Sequence, residues 1–312
     1  MRRFLVRRLL FVIITFIGAT VAMFSLTQLA TDPRVLFVPR QGWGITQEQW
    51  DALTVRLGLD RPVVVQYFSW LGRMLKGDMG ESLSQQQPVR QILMSKFGAT
   101  LRLALAGWII AVLIGIPTGV LAAVRRGTVW DYLGRSIAVF GQAMPPFWVG
   151  IMLMVLFGVV LGWLPTTGAG RGISIKHYIL PAFTLGWYPA AALMRLTRSS
   201  MLEILDSEYV KFARAKGMGE WTVIWKHAFK NALIPPLTSS LLLMAGFLHG
   251  TLVVEYVFAW PGVARQALYY GVFTNDFPLL LGGVVVFVVI FLAFALVADI
   301  AYGFVDPRIR YQ

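Results

Sequence analysis

Apolar runs of about 20 residues with few charges recur along the chain, each long enough for a helix to cross the hydrocarbon core of a bilayer. The pattern predicts crossings over 9–29, 103–124, 137–164, 178–196, 236–254 and 278–298. The fourth is the weakest, because His177 and Arg195 crowd its ends and Pro189 interrupts it. Pro117 lies inside the second run, and Pro145-Pro146 lies near the middle of the long third run. A proline inside a helix removes a backbone hydrogen bond and bends the axis, and in lipid the freed carbonyl needs a neighbour or water. These prolines are expected to kink a bundle around a pathway, although ordinary packing accounts for any single kink equally well.

The polar stretches between the runs also carry a pattern. In residues 30–99, Thr46 with Gln49 has the form of a capping box, and Trp50, Leu53 and Leu57 mark one helical face ending at Gly58. Pro62 suits a first helical turn, and Val64, Phe68, Leu71 and Leu75 recur at helical spacing up to Gly77. Two short amphipathic helices are expected, at the membrane surface or against the bundle. Gly77 to Ser82 then reads as a turn. The chain divides into an N-terminal anchor helix with an external amphipathic segment, 1–99, and a core, 100–312, that contains a polar loop at 202–235. The first run resembles a signal peptide, but no small-residue cleavage site closes it, so it reads as a retained anchor.

Composition supports a spanning protein. The chain is 57% hydrophobic and 14% charged, with mean hydropathy +0.67, more apolar than a soluble domain of this length. The net charge of +13 would suit nucleic acid, but its placement points elsewhere. Arg2, Arg3, Arg7 and Arg8 precede the first run, and Arg125, Arg126 and Arg135 stand between the second and third. Arg195, Arg198, Lys211, Arg214, Lys216, Lys226 and Lys230 stand between the fourth and fifth, and Arg308 and Arg310 follow the last. Basic residues at alternate ends of the runs are the positive-inside signature. Six crossings then leave both termini in the cytosol, and nucleic acid is no expected partner.

The chemistry of several function classes is missing. No lysine follows a glycine, so no phosphate-binding loop of the G-x-x-x-x-G-K-[ST] type exists and ATP hydrolysis is not expected of this chain. There is no G-x-S-x-G elbow and no H-E-x-x-H. Cysteine is absent, and His177, His227 and His249 are far apart in sequence, so no metal site is expected. An intramembrane enzyme lacks its convergent groups. An ion-coupled transporter would show a repeat and embedded carboxylates, and only Asp299 is a candidate carboxylate within a run.

Between the fourth and fifth runs, Glu208–Lys216 reads as a helix, Gly217-Met218-Gly219 as a break and Glu220–Asn231 as a second helix ended by Pro235-Pro236. Basic residues flank the apolar positions Phe212, Val223, Ile224, Trp225 and Phe229. Lipid offers such an insert nothing, so it is expected either to present a shaped surface to a cytosolic partner or to be a solvated loop anchored by charge.

Tyr209, Ala213-Arg214-Ala215-Lys216-Gly217, His227 and the run Asn231 to Pro235 resemble the cytoplasmic loop of ABC importer permeases of the binding-protein-dependent type, most closely the dipeptide/oligopeptide branch. Leu57 to Pro62, Gln66-Tyr67 and Lys76 to Gly80 resemble the external segment of that branch's B-type subunit. Val254 to Phe258, Trp260-Pro261-Gly262 and Asp306 to Tyr311 resemble its fifth-span exit and C-terminus. The resemblance covers nearly the whole chain in order. It implies an all-α, type I importer permease bundle in a bacterial or archaeal cytoplasmic membrane.

The resemblance also implies coupling helices that seat on ATPase subunits, formed here by Glu208, Tyr209, Ala213, Arg214, Ala215, Lys216, Gly217, His227, Asn231 and Pro235. The implied partners are a second, related permease in a heterodimer, two ATPase subunits carrying ATP and Mg, and an extracytoplasmic substrate-binding protein. No cofactor is implied for this chain. Where the broader family has Glu-Ala-Ala, this chain has Lys211-Phe212-Ala213, so Lys211 need not take a glutamate's role. The implied substrate is a short peptide, with nickel, glutathione or sugar as alternatives in related systems. Gln142, Pro145, Pro146, His249, Glu255 and Asp299 are the pathway candidates, as polar, ionisable or kinking positions within or beside the runs. Arg102, at the start of the second run, is placed to snorkel.

Overall fold

The computed structural model describes residues 2–30, 46–169 and 174–305. Among them the chain is helical throughout, with an isolated bridge from Glu81 to Pro88 in place of any strand. The long helices are α1 (Arg2–Ala30), α4 (Val89–Val124), α7 (Ile175–Leu205), α11 (Ile234–Val257) and α13 (Phe277–Val305). Shorter ones are α2 (Gln47–Leu57), α3 (Val63–Leu75), α5 (Val129–Ala143) and α6 (Pro146–Leu153), with α6 continuing as a π-helix to Val160. Between α7 and α11 lie α8 (Glu208–Ala215), α9 (Glu220–Thr222), a π-helical stretch Val223–Phe229 and α10 (Lys230–Ala232). A further π-helical stretch, Arg265–Tyr270, leads into α12 (Gly271–Phe273).

Val6–Leu29, Val89–Val124 and Phe277–Ala298 are each long and apolar enough to cross a membrane alone. Two more candidate spans are bent pairs, Val129–Ala143 with Pro146–Val160 at 106°, and Ile234–Met244 with Gly246–Val257 at 54°. At the fourth expected crossing, α7 has the length, at 31 residues, but is not among the helices apolar enough to cross alone.

The crossing expected over 137–164 coincides with the first bent pair and differs from it in its start and in the size of its bend. The helix starts earlier, at Val129, and breaks where a kink was expected. Met144 and Pro145 each precede a proline, which disfavours the α region at both. Both adopt extended backbone, at ψ 132 and ψ 134. Two consecutive extended residues turn the axis much further than one proline inside a continuous helix.

Two compact units form, one from 99–261 with the chain from Ala293, the other from Arg2–Gly98 with Gly262–Leu292. In the first, α7 is central and packs against α5, α6 and α11. Close approach sets its seam with α4. A Cβ on Gly115 would lie 2.6 Å from the Ala190 carbonyl oxygen, and one on Gly119 would lie 2.6 Å from that of Met194. Small residues allow this contact between backbones in lipid. Two indole N–H groups of the unit find carbonyl partners, Trp108 donating to Ser240 at 2.9 Å and Trp260 to Ala99 at 3.1 Å.

In the second unit, α3 lies along α1. The hydroxyls of Tyr67 and Thr20 share a hydrogen bond of 3.0 Å, Gln28 donates to Gln66 at 3.1 Å, and Phe24 meets Tyr67 edge-on. The buried face of α3 is Tyr67 and Met74, whereas Val64, Phe68 and Leu75 of the expected stripe are exposed. The helix therefore carries two apolar faces, and the sequence stripe marks the one turned away from the chain's own packing.

Asp276 ties this unit together. Its Oδ2 accepts from the Ser82 hydroxyl at 2.5 Å, the Ser84 hydroxyl at 2.7 Å and the Ser84 amide at 3.0 Å, while Oδ1 caps α13 through the Leu279 amide at 3.1 Å. Burial pushes the carboxyl pKa up, but the hydrogen bonds from Ser82, Ser84 and Leu279 outweigh it and hold it below the ordinary carboxylate value. A depressed native pKa stabilises the fold above the unfolded value of about 4 and loses that contribution as pH falls through the native value. Asp276→Asn should cost about 2 kcal/mol at neutral pH, read as a lower thermal midpoint in detergent. The parent should lose stability on acidification below about pH 4, and the variant should lack that component.

Candidate functional site

The polar insert after α7 folds into a knob. Ser207 precedes α8, and Gly217, at φ +74, reverses the chain into α9 and the π-helical stretch. A Cβ at Gly217 would meet nothing within 4 Å. The glycine is required by backbone conformation, since left-handed φ is disfavoured for residues with a Cβ. The knob is not a floating loop. Val210, Ala213, Val223, Ala228 and Ala232 are buried in one cluster with Val120 and Ala123 of α4 and Met201 of α7. Leu205, Met218, Ile224 and Phe229 pack around that cluster.

Polar contacts brace its two halves. The Tyr209 hydroxyl and His227 Nδ1 lie 2.6 Å apart. Arg214 grips Glu220 with two bonds, Nε at 2.9 Å and Nη2 at 3.3 Å, across the Gly217 turn. Asn231 Nδ2 donates to the His227 carbonyl at 2.9 Å. Lys211 pairs with Glu208 at 2.8 Å, and this bond holds its ammonium pKa above the ordinary lysine value. The Lys216 ammonium sits 4.6 Å from the centre of the Phe212 ring. Tyr209, Phe212, Trp221 and Trp225 remain exposed, with Trp221 at 74%. Trp221 meets Trp225 at a tilt and Trp225 meets Phe229 edge-on, at centroid distances of 5.3 and 5.1 Å. The result is a rigid polar body that presents aromatic rings outward.

The sequence matches a family described as the binding-protein-dependent transport system inner membrane component over residues 115–311, and that system's N-terminal membrane component over 1–104. The chain belongs to this family of ABC importer permeases. It is 36% identical over its full length, and over the full length of the relative, to the dipeptide transport system permease protein DppB of Escherichia coli K12. It is 37% identical, again with both chains fully covered, to the oligopeptide transport system permease protein AppB of Bacillus subtilis 168. The glutathione transport system permease protein GsiC of Salmonella paratyphi A is 42% identical over 82% of this chain and 83% of its own. Among solved structures, the inward-facing MetNI methionine ABC transporter aligns with TM-score 0.58 at 18% identity, covering 69% of this chain and 97% of that chain. That likeness concerns the fold.

In this permease the coupling candidates take distinct places. Ala213 is core, Glu208, Tyr209, Arg214, Ala215, Lys216, Gly217 and Asn231 are exposed, and His227 is half-buried. Pro235 does not end the knob. The second half stops at Leu233, and Pro235-Pro236 sit in the first turn of α11, where a missing N–H costs nothing. At the Lys211-Phe212-Ala213 departure, Ala213 faces the core while Lys211 and Phe212 point outward.

The pathway candidates stand in different surroundings in the permease. Pro145 and Pro146 form the exposed break after α5, with Gln142 half-buried one turn before it. Glu255 is fully buried, and its Oε1 accepts from Thr100 at 2.6 Å. His249 is exposed on α11. Asp299 lies on α13 with its side chain outside the described residues, as do Arg308 and Arg310. Arg102 donates from Nε to the Tyr178 hydroxyl at 3.1 Å instead of simply snorkelling.

Sequence reasoning passed over one pair. Arg198, counted among the positive-inside charges, donates from Nε and Nη2 to the two oxygens of Asp131 at 2.7 and 2.9 Å. The Asp131 side chain is 3% exposed, and its Oδ2 also accepts from the Gly127 amide at 3.0 Å. A surface pair, Arg126 to Asp206 at 3.1 Å, joins the same turn to the end of α7. The only sequence signal was an acid in the first turn of a helix whose partner charge lies 67 residues on. Removing one member of a buried pair strands the other. Arg198→Met or Asp131→Asn should each cost about 3–5 kcal/mol, whereas the paired replacement Asp131→Leu with Arg198→Met should recover most of it. Thermal midpoints of all three variants, compared as a double-mutant cycle, check this.

Proposed function

We propose that this chain is one of two related permease subunits of an ATP-driven importer of short peptides, and that the knob seats on an ATPase subunit and transmits its closure to the bundle. The observation that carries this reading is a folded, braced knob with four exposed aromatic rings, joined to α4 and α7 through buried apolar packing. A rigid protrusion passes on a rigid-body motion that a flexible loop would absorb. Relatives named for dipeptides and oligopeptides match along the full chain, and glutathione, named for another, is itself a short peptide.

In this reading α7 is the fourth of six crossings, shielded by α5, α6 and α11, and both termini face the cytosol with the knob. The division into 1–99 and 100–312 sets the anchor helix and its amphipathic segment, the latter on the outer side, apart from the core. ATP and Mg are held by two ATPase subunits, and a substrate-binding protein delivers peptide from outside. Gln142, Pro145 and Pro146, at the sharp break, border the pathway. The chain performs no covalent chemistry and alternates access.

Gly217→Val tests the proposal. The site has room for the side chain but not for its backbone preference, at a cost of about 1–2 kcal/mol, while Gly217→Asn tolerates the left-handed conformation. In the reconstituted importer, Gly217→Val should insert normally but transport several-fold less peptide per ATP hydrolysed, and Gly217→Asn should stay close to the parent. A valine variant with unchanged transport per ATP would overturn the assignment.

A further inference from the structure

Within the unit built from Arg2–Gly98 and Gly262–Leu292 lies a cavity of about 820 Å³, in the size range of small-molecule sites. Its lining mixes charge of both signs with an aromatic wall. Arg61 comes from the turn before α3, Trp70 and Arg73 from α3, and Asp78 and Glu81 from the turn that follows. All four charged side chains are exposed to the cavity or its opening. Among the described residues no ion pair joins either arginine to either acid.

The walls are fixed in advance. Gln66 donates from Nε2 to the Arg61 carbonyl at 2.8 Å and accepts from Gln28 of α1 at 3.1 Å. Trp70 packs on Phe24 with ring centres 5.5 Å apart. Asp78 Oδ1 accepts from the Gly80 amide at 3.0 Å, which folds the turn carrying Glu81. Ser82, next to Glu81, is anchored on Asp276. A preformed site loses less ordering entropy on binding.

We infer that this cavity binds a short peptide with free termini. Its carboxylate is held by Arg61 and Arg73, its ammonium by Asp78 and Glu81, and an apolar side chain lies against Trp70. Guanidinium groups suit a carboxylate's two oxygens, and an unpaired acid suits an ammonium. The inference rests on the proposed function for its substrate class and for placing the cavity at the outer face of the membrane. It adds a holding site on the permease itself, separate from the binding protein, between α3 with its flanking turns and the ends of α1 and α13.

The test uses the assembled permease pair with its ATPase subunits in lipid nanodiscs, without binding protein, and equilibrium dialysis of labelled tri-alanine. Saturable binding is expected, at least tenfold weaker for N-acetyl-tri-alanine amide and for the Arg61→Ala/Arg73→Ala variant. Glu81→Gln, which leaves the turn's backbone contacts alone, should weaken tri-alanine but not its N-acetylated form. Absence of saturable binding, or binding indifferent to end-blocking and to these variants, would overturn the inference. So would a variant that weakens only attachment of the binding protein, because the occupant would then be a protein segment. Absence of saturable binding in the parent, with its ATP-driven uptake intact, removes the inference and leaves the proposed function standing.

Discussion

The structure depends on one patch of apolar packing where the knob meets the long helices α4 and α7. Val210, Ala213, Val223, Ala228 and Ala232 of the knob close against Val120, Ala123 and Met201. Burial of apolar surface is the force available to hold a polar loop on a bundle in water. The small side chains among them let the knob sit close to α4 and α7. Without this patch, Arg214–Glu220 and Tyr209–His227 would be exposed contacts of small worth. With it, they fix the pose of an already compact body.

The same two helices carry the constraint onward. Glycines 115 and 119 bring the backbone of α4 against that of α7. Asp131 and Arg198 then clamp the start of α5 to α7, two turns before the knob begins. A displacement of the knob therefore reaches three helices through contacts that have little room to yield. The second unit is held by different means, a buried carboxylate bridging two serines and a helix start.

Much of this was legible in the sequence, and the reasons are local. Gly58, Gly77 and Gly217 mark chain reversals that their neighbours could not make, and the two halves of the knob follow from helical runs separated by glycine. The ordered motifs placed the chain among the importer permeases, as the family matches show. Long-range partners were not legible. Nothing near Asp276 points to Ser82, and nothing near Asp131 points to Arg198, because each pair is joined by tertiary packing. Periodicity misread α3 for a related reason. Both of its faces are apolar, and a single chain does not say which one it covers itself. At Pro145-Pro146 the residues were noticed but the size of the turn was not, since it arises from two consecutive pre-proline positions acting together.

The central claim is that the aromatic face of the knob is covered by an ATPase subunit. The chain has no cysteine, so Trp221→Cys introduces a single reactive thiol at a position 74% exposed in the chain alone. The measurement is its rate of maleimide labelling in the permease pair alone and in the complete importer. The account predicts labelling at least tenfold slower in the complete importer. An unchanged rate would contradict it.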